Sequence, residues 1–418
     1  MSRILLSAYA CEPGKGSEPA VGWMWATELA ERGHEVCVIT RETNQRAIEA
    51  AARPARCAAP HFAYVDLPSW ARRWKKLPGG IYLYYFVWQW LAFCTARRLH
   101  RQNPFDCVHH VTFVSLRAPS FMGWLGIPFR LGPLSGGERV PWKLRRDMSL
   151  PARAFELVRD GANLLLRFDP LMRAAIRRAT RIYLTSRESL DLIPKRFHYK
   201  CEVQLAIGLT RMQLAYCSRK THSNSEALRC VYAGRLLEWK GLWMALLALR
   251  NLKASNVLVH LSIIGDGPVR QTLQSLALQL GIADRAEWLP WIPHEELQRR
   301  LRQHDVFVFP SLRDSGGMAV LEALAHGLPV ICTDLGGPGQ IVDNSCGRVI
   351  QTNGKTSQAI AAEIAAYLEI FARNPGMLQR LSMNARCRAW DFAFGRIVER
   401  VYGPDRVAAG HLPEAASL

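Results

Sequence analysis

Short apolar runs alternate with helical segments along this chain, and the alternation starts twice. The first series opens with an apolar run at 3–9, a helical segment at 21–32 and a second run at 35–40. A new series starts at 228–233 and continues to 330–333. Because strands that alternate with helices form parallel sheets covered by helices, each series predicts one Rossmann-like α/β domain.

The two series predict the domain boundaries. We expect an N-terminal, acceptor-side domain at 1–205, a C-terminal, nucleotide-binding domain at 206–383, and a helix at 384–418 that crosses back to the first domain. The polar, turn-rich stretch 218–226, SRKTHSNSE, lies where the two series meet. A chain of 418 residues is long enough for about two domains of ordinary size.

Composition limits the class of protein and its partners. The net charge of +19 and the pI of about 9.8 favour an anionic partner, which could be a substrate, a membrane surface or a nucleic acid. Eleven cysteines occur without a CxxC pair, which argues against a disulfide framework and against a zinc site. The apolar run at the N-terminus is too short for a signal peptide, so we expect a cytoplasmic protein.

The segment 311–331, SLRDSGGMAVLEALAHGLPVI, predicts a ligand-binding loop. It follows an apolar strand at 305–310 and contains a helix at 318–326. The N–H groups at the start of a helix lack helical partners and favour an anion. Glu322 lies inside this helix, where its carboxylate could accept hydrogen bonds from the two hydroxyls of a ribose. The alternative is an ordinary surface helix with an exposed glutamate. The residues at the helix start are Ser315, Gly316, Gly317 and Met318.

Two cations follow the first strand of the second series. Arg235 lies at the end of that strand and Lys240 at the start of the next helix. Ligands of open parallel sheets bind outside the carboxyl ends of the strands, where these two side chains would neutralise a diphosphate. The alternative is a loop with solvated charges. The turn Gly265-Asp266-Gly267-Pro268 ends another strand and by itself indicates only a turn.

As an ordered set, these motifs resemble glycosyltransferase family 4. The set is G-R-x4-K-G from Gly234, I-G-D-G-P from Ile264, an acid-x7-E pair formed by Asp314 and Glu322, and then A-x-G-x-P-V. The resemblance covers about 228–350 and implies a retaining glycosyltransferase with the glycosyltransferase-B fold, in which two Rossmann-like domains face each other across a cleft. It implies that Arg235 and Lys240 hold the donor diphosphate and that Glu322 binds the ribose. The other implied donor-binding residues are Gly234, Gly265, Gly267, Asp314, Ser315, Gly316, Gly317 and Met318.

The chain departs from the family pattern at two positions. Asp314 stands where the family usually has Glu, which shortens the reach of the carboxylate by about 1.5 Å, one C–C bond. Gln340 stands where an acid is common. Both departures concern the identity of the donor more than the fold.

The loop after the first strand contains GKGS but lacks the spacing of a P-loop, so an ATPase of that class is excluded. It resembles the glycine-rich loop that faces the donor phosphates in one branch of the same family, which makes Gly14, Gly16 and Ser17 candidates. His109 and His110 end a later strand, where the family has a histidine that contacts the donor sugar. Successive side chains of a strand point to opposite faces, so only one of them should do so, and we favour His110. The alternative is one buried and one exposed structural histidine.

The segment 70–98 combines an apolar, aromatic stretch of about fourteen residues with flanking arginines and lysines, too short to span a bilayer of the usual thickness. It could contact an anionic membrane peripherally, or it could be a core helix with basic ends.

Together these features predict a metal-independent hexosyltransferase-like enzyme that needs no cofactor. It would move a sugar from a nucleotide diphosphate sugar to a carbohydrate or lipid-linked hydroxyl acceptor, in cell-surface polysaccharide or glycolipid synthesis. Asp314, Arg235, Lys240 and the histidine pair are the catalytic candidates. The rivals are a nucleotide-sugar epimerase or phosphorylase on the same fold, and a basic nucleic-acid-binding protein, for which no reading motif is present.

Overall fold

The structure is a computed structural model that describes residues 1–16, 18–51, 59–77, 79–215 and 227–403. It forms two compact units. The first unit comprises 1–137, 162–207 and 394–418, and the second comprises 138–161 and 208–393. Each unit is an α/β domain with its own parallel sheet.

The thirteen strands described are β1 (Arg3–Ala8), β2 (Glu35–Thr40), β3 (His61–Tyr64), β4 (Cys107–Thr112), β5 (Phe129–Leu134), β6 (Arg181–Leu184), β7 (Cys201–Val203), β8 (Leu228–Ala233), β9 (Val259–Ile264), β10 (Ala286–Leu289), β11 (Val306–Phe309), β12 (Val330–Thr333) and β13 (Gly347–Ile350).

The α-helices described are α1 (Glu18–Glu31), α2 (Gln45–Ala50), α3 (Gly80–Gln102), α4 (Trp142–Arg145), α5 (Leu150–Leu166), α6 (Pro170–Arg178), α7 (Arg187–Leu190), α8 (Arg211–Ala215), α9 (Leu242–Ala254), α10 (Arg270–Gln279), α11 (His294–Leu301), α12 (Met318–Ala325), α13 (Pro338–Ile341), α14 (Ser357–Arg373), α15 (Pro375–Asp391) and α16 (Phe394–Tyr402). Short 3₁₀ helices cover Glu42–Asn44, Ser69–Lys76, Met122–Leu125, Lys195–Lys200, Glu238–Lys240 and Ala283–Arg285.

The sheet of the first unit has the order β3-β2-β1-β4-β5-β6-β7, and all its pairs are parallel. Its central strands β1, β4 and β5 are buried almost throughout, as continuous apolar runs in parallel sheets usually are. α3 packs one face into this core through Tyr84, Tyr85 and Trp88. Along that face, α3 is therefore a core helix, the alternative to a membrane contact that the sequence left open for 70–98.

The C-terminal helix α16 packs against α1 within the first unit, where the rings of Trp25 and Phe394 lie 5.4 Å apart in an edge-to-face contact. The sequence predicted one helix from 384 that returns to the first domain. The structure corrects this. Of the described residues from 384 onwards, 384–393 belong to the second unit, and 394–403, which include α16, belong to the first.

The sheet of the second unit has the order β10-β9-β8-β11-β12-β13, again with parallel pairs. The predicted class, two Rossmann-like α/β domains, is confirmed. The predicted boundary at 205/206 falls close to the observed change of unit between Ile207 and Gly208. One segment differs, because 138–161 belongs to the second unit although it lies within the first series of the sequence.

Candidate active site

In each sheet the strand order reverses once, and the predicted motifs lie at these points. The reversal falls between β1 and β4 in the first unit and between β8 and β11 in the second. Ligands of open α/β sheets bind outside the carboxyl ends of the strands at such a switch point. The loop after β8 carries Arg235 and Lys240, and the loop after β11 carries Asp314 and the glycine pair. A hydrogen bond from the N–H of Leu312 to the carbonyl of Trp239, 2.8 Å long, joins the two loops.

Lys240 and Asp314 form an ion pair between these loops. The ammonium of Lys240 donates to Oδ2 of Asp314, and both side chains are mostly buried. Lys240 also lies over the ring of Phe309, 5.0 Å from its centroid. Burial alone would raise the pKa of Asp314, but the Lys240 ammonium and two backbone N–H groups hold that pKa below its usual range. The carboxylate is therefore ionised at neutral pH and fixes the position of the lysine.

The glycine amides are already satisfied in this structure, which corrects the picture of a free anion site. Oδ1 of Asp314 accepts hydrogen bonds from the N–H groups of Gly316, at 3.0 Å, and Gly317, at 2.8 Å. Within the described residues, the N–H groups of Met318 and Ala319 in the first turn of α12 have no acceptor. A phosphate at this helix end would meet Met318 and Ala319 rather than the glycine pair.

Glu322 lies one turn further into α12 with its side chain 13% exposed. The described residues offer it no hydrogen bond, and Nε2 of His294 lies 3.9 Å from its Oε1. Burial raises the pKa of Glu322 to about 7. Such a carboxylate gains most from a ligand that donates hydrogen bonds to it, such as a pair of vicinal hydroxyls.

Arg235 extends into solvent at the end of β8. Its side chain is exposed, and no described residue pairs with it. Its charge is therefore available to an anionic ligand at the same strand end as Lys240.

Gly265 and Gly267 serve the packing of two loops. A Cβ on Gly265 would lie 2.0 Å from the carbonyl oxygen of Gly234, and one on Gly267 would lie 2.1 Å from that of Leu236. The N–H of Leu236 donates to the carbonyl of Asp266 at 2.8 Å. These glycines let the loops after β8 and β9 touch through their backbones, a role that the turn pattern alone did not reveal.

The segment 138–161 supports the two cation-bearing loops, a contact that no sequence motif predicts. The guanidinium of Arg313 pairs with Glu156, which is 1% exposed, and lies 4.2 Å from the ring centroid of Trp239. The N–H and hydroxyl of Ser149 both donate to Glu238, at 2.8 and 2.5 Å. These partners are more than eighty residues apart in the chain, so no local pattern could have linked them.

In the first unit, Gly14 and Gly16 lie in an exposed loop after β1, with free space beside both Cα atoms. The third candidate of this loop, Ser17, lies outside the described residues. Lys15 forms a surface ion pair with Glu12 at 2.8 Å. Glu18 follows at the start of α1. It accepts a hydrogen bond from the N–H of Val114, and burial raises its pKa.

Both ring nitrogens of His109 form hydrogen bonds within the core of the first unit. Its Nε2 lies 2.8 Å from the carbonyl oxygen of Gly132, and its Nδ1 lies 3.0 Å from the hydroxyl of Tyr402. Since a carbonyl can only accept, Nε2 carries the proton and Nδ1 accepts from Tyr402. Both ring nitrogens are thereby engaged, and His109 retains no hydrogen bond for a sugar.

His110 points to the opposite face of β4 and retains a free ring nitrogen. It is fully buried beside Tyr85, its Nε2 lies 3.4 Å from the carbonyl oxygen of Phe113, and its Nδ1 has no hydrogen-bond partner. Burial lowers the pKa of His110 to about 4, so the ring is neutral. A neutral imidazole with an unused nitrogen is suited to bind a hydroxyl.

Two features are absent from the part of the chain that the structure describes. No group of three or more His, Cys, Asp or Glu side chains is placed to hold a metal ion. None of the helices combines the length and the apolar character needed to cross a membrane.

Comparison with known proteins identifies the class that these features resemble. Residues 218–388 match the family model of glycosyl transferases group 1. The matched range contains both loops of the second switch point and α12. The resemblance to glycosyltransferases that the motifs indicated is thereby confirmed for this part of the chain.

Individual relatives match part of the chain. WcaL of Salmonella typhimurium, named as a colanic acid biosynthesis glycosyltransferase, is 33% identical over 175 residues, 39% of this chain and 42% of WcaL. The amylovoran biosynthesis glycosyltransferase AmsK of Erwinia amylovora is 31% identical over 143 residues, 33% of this chain and 35% of AmsK. The chain thus matches less than half the length of these curated relatives.

A solved structure supports the fold over nearly the whole chain. The lipopolysaccharide outer core galactosyltransferase WaaB aligns with 95% of this chain and 98% of its own, with a TM-score of 0.60 and 14% identity. At this level of identity the likeness establishes the fold, which is that of the glycosyltransferase-B class, and carries no residue roles.

Proposed function

We propose that this protein is a retaining glycosyltransferase that moves a sugar from a nucleotide diphosphate sugar to a hydroxyl acceptor in cell-surface polysaccharide or glycolipid synthesis. The match of 218–388 to glycosyl transferases group 1 supports the reaction class. The names of WcaL and AmsK, both polysaccharide biosynthesis enzymes, support the pathway class.

One observation carries the proposal: Glu322 is a mostly buried carboxylate without a hydrogen-bond donor, at the same switch point as two cations. A carboxylate in this state is costly unless a ligand supplies donors. The two ribose hydroxyls of a nucleotide would supply them, while its diphosphate would meet Arg235 and Lys240.

In this reaction the cations stabilise the negative charge that develops on the leaving diphosphate. Arg235 offers a fork of N–H donors, and Lys240, held by Asp314, offers a fixed point charge. The N–H groups of Met318 and Ala319 add the positive end of α12. These groups supply charge stabilisation from the protein itself, so the proposal includes no metal ion and no cofactor.

In the first unit, His110 is assigned to the donor sugar, since its Nδ1 is unused and its ring is neutral. The exposed loop with Gly14 and Gly16 is assigned to the donor phosphates.

We also propose that the protein acts in the cytoplasm at the inner face of the membrane, with residues 70–98 as one contact. Trp70, Leu83 and Trp90 are 62%, 55% and 53% exposed on this segment. Arg73, Lys75 and Lys76 adjoin them. Aromatic side chains beside cations suit the headgroup region of an anionic leaflet.

The test is a panel of UDP-, GDP- and ADP-sugars scored by the shift in melting temperature. We expect one nucleotide class to stabilise the wild-type chain and both Glu322→Ala and Lys240→Ala to reduce the shift. Lys253→Ala on α9 and Glu363→Ala on α14 are matched controls, because both side chains form ion pairs away from the strand ends. Equal shifts in all five proteins would remove the site assignment, and release of free sugar phosphate would favour a phosphorylase.

A further inference from the structure

The segment 138–161 of the second unit contains most of α5, a helix that exposes apolar side chains on one face. On α5, Leu150, Leu157 and Val158 are 76%, 53% and 71% exposed. These residues are seven and eight positions apart, which places them on one face of the helix. An apolar stripe of this kind normally faces a protein core, and here it faces outward.

Three charged side chains of α5, those of Glu156, Arg159 and Asp160, make their contacts within the second unit. Glu156 is 1% exposed and pairs with Arg313, Asp160 pairs with Arg145 at 2.7 Å, and Arg159 donates to the carbonyl of Glu138. These contacts fix the rotation of the helix within the second unit. The outward apolar face is therefore a built feature and not a consequence of a loosely attached helix.

A basic cavity adjoins the stripe. Its volume is about 290 Å³, and it is lined by Trp142, Arg145, Arg146, Arg153 and Leu157. Arg153 donates to the backbone carbonyls of Met148 and Arg146, so neither bond neutralises its charge. Among the described residues, no carboxylate pairs with Arg146 or Arg153. Trp142 is 64% exposed at the rim.

We propose that residues 138–161 form a docking surface for an anionic lipid membrane. The arginine-lined cavity receives phosphate headgroups, Trp142 lies at the level of the headgroups, and Leu150, Leu157 and Val158 enter the acyl boundary. Charge complementarity favours this occupant over a second copy of the chain, because a copy with a net charge of +19 would bring further positive charge to the arginines. This surface belongs to the second unit and is separate from the contact proposed for residues 70–98.

The experiment is co-sedimentation of the full chain with vesicles of phosphatidylglycerol and phosphatidylcholine, and with phosphatidylcholine alone. We expect the wild type to bind the anionic vesicles and Leu157→Ser to weaken that binding about tenfold. Leu278→Ser is the matched control, since Leu278 is 69% exposed on α10. Arg146→Glu should weaken binding to the anionic vesicles, whereas Arg250→Glu on the exposed face of α9 should not.

Melting curves confirm that each variant is folded, which the exposure of the substituted side chains favours. Equal sedimentation of Leu157→Ser and Leu278→Ser would overturn the proposal, and so would loss of binding only in Trp90→Ser of the 70–98 segment. A wild-type dimer in light scattering that Leu157→Ser converts to a monomer, with vesicle binding unchanged, would assign the face to a second copy instead. Because vesicle binding needs no nucleotide, failure here leaves the nucleotide-sugar panel as an independent result.

Discussion

The two switch points use their polar groups differently. At the second one, opposite charges meet: Asp314 engages Lys240 and two glycine amides, while Arg235 and Glu322 remain available. At the first one, a neutral and fully buried His110 lies beside the ring of Tyr85 with one free nitrogen. The difference favours the proposed division of roles, in which Arg235 and Lys240 of the second unit bind the diphosphate and His110 of the first binds a sugar hydroxyl.

The largest expected effect on stability comes from breaking the Lys240–Asp314 ion pair at the second switch point. Lys240→Met leaves the carboxylate of Asp314 mostly buried without its cation, and loss of one partner of such a pair costs about 3 kcal/mol of unfolding free energy. Chemical denaturation measures it. The double variant Lys240→Met/Asp314→Asn should recover most of the stability without recovering nucleotide binding. A single variant as stable as the wild type would show that the pair is not a structural element.

The next effect separates the two histidines of β4. His109→Phe leaves the hydroxyl of Tyr402 and the carbonyl of Gly132 without their partner, which should cost about 2 kcal/mol. His110→Phe removes a buried nitrogen that has no partner, so stability should be unchanged or higher while sugar transfer falls. Thermal unfolding and a transfer assay are the readouts. Equal destabilisation by both substitutions would contradict the division of roles on this strand.

The free energy of unfolding should depend on pH through the titration of Glu322. Its pKa of about 7 lies above that of an ordinary glutamate, so the folded state holds the proton more tightly than the unfolded chain does. The stability from this group is therefore complete at low pH and is lost as the pH rises towards and through about 7.

Glu322→Gln should abolish this loss, a difference of at least about 1 kcal/mol between pH 5 and pH 8, since each pKa unit is worth about 1.4 kcal/mol. Denaturation curves at the two pH values measure it. Nucleotide binding should also improve with pH in the wild type, because ribose hydroxyls donate to the ionised carboxylate. Identical pH profiles for both proteins would refute the buried, unpaired state of Glu322.

The smallest effect on stability is expected at Arg235. Because the side chain is exposed and unpaired by any described residue, Arg235→Gln should change the unfolding free energy by less than about 0.5 kcal/mol. Nucleoside diphosphate affinity should fall about tenfold, with a weaker dependence on salt, as for loss of one charged contact. Titration calorimetry at two salt concentrations provides the test. An unchanged affinity would place the diphosphate elsewhere.

The sequence predicted the fold well where a strand is continuous and apolar. The predicted bounds of β2, β8 and β12 agree with the structure. The strands β3, β7 and β13 were missed, because His61, Glu202 and Arg348 leave these short strands without a continuous apolar run.

The candidate site was predictable only in part. Motif spacing indicated Lys240, Asp314 and Glu322, because each follows a strand end. It could not reveal that Oδ1 of Asp314 accepts hydrogen bonds from the N–H groups of Gly316 and Gly317, because this contact depends on the backbone conformation of the loop. Nor could it place Glu156 against Arg313, a contact 157 positions apart in the chain. Long-range contacts of this kind leave no trace in local periodicity.

The central claim is that the switch point between β8 and β11 holds a nucleoside diphosphate. The most direct measurement is a crystal structure of the chain with the nucleoside diphosphate that stabilises it most. The account predicts ribose hydroxyls within hydrogen-bond distance of Glu322 and phosphate oxygens at Arg235 and Lys240. A nucleotide bound elsewhere, with Glu322 still unpaired, would contradict it.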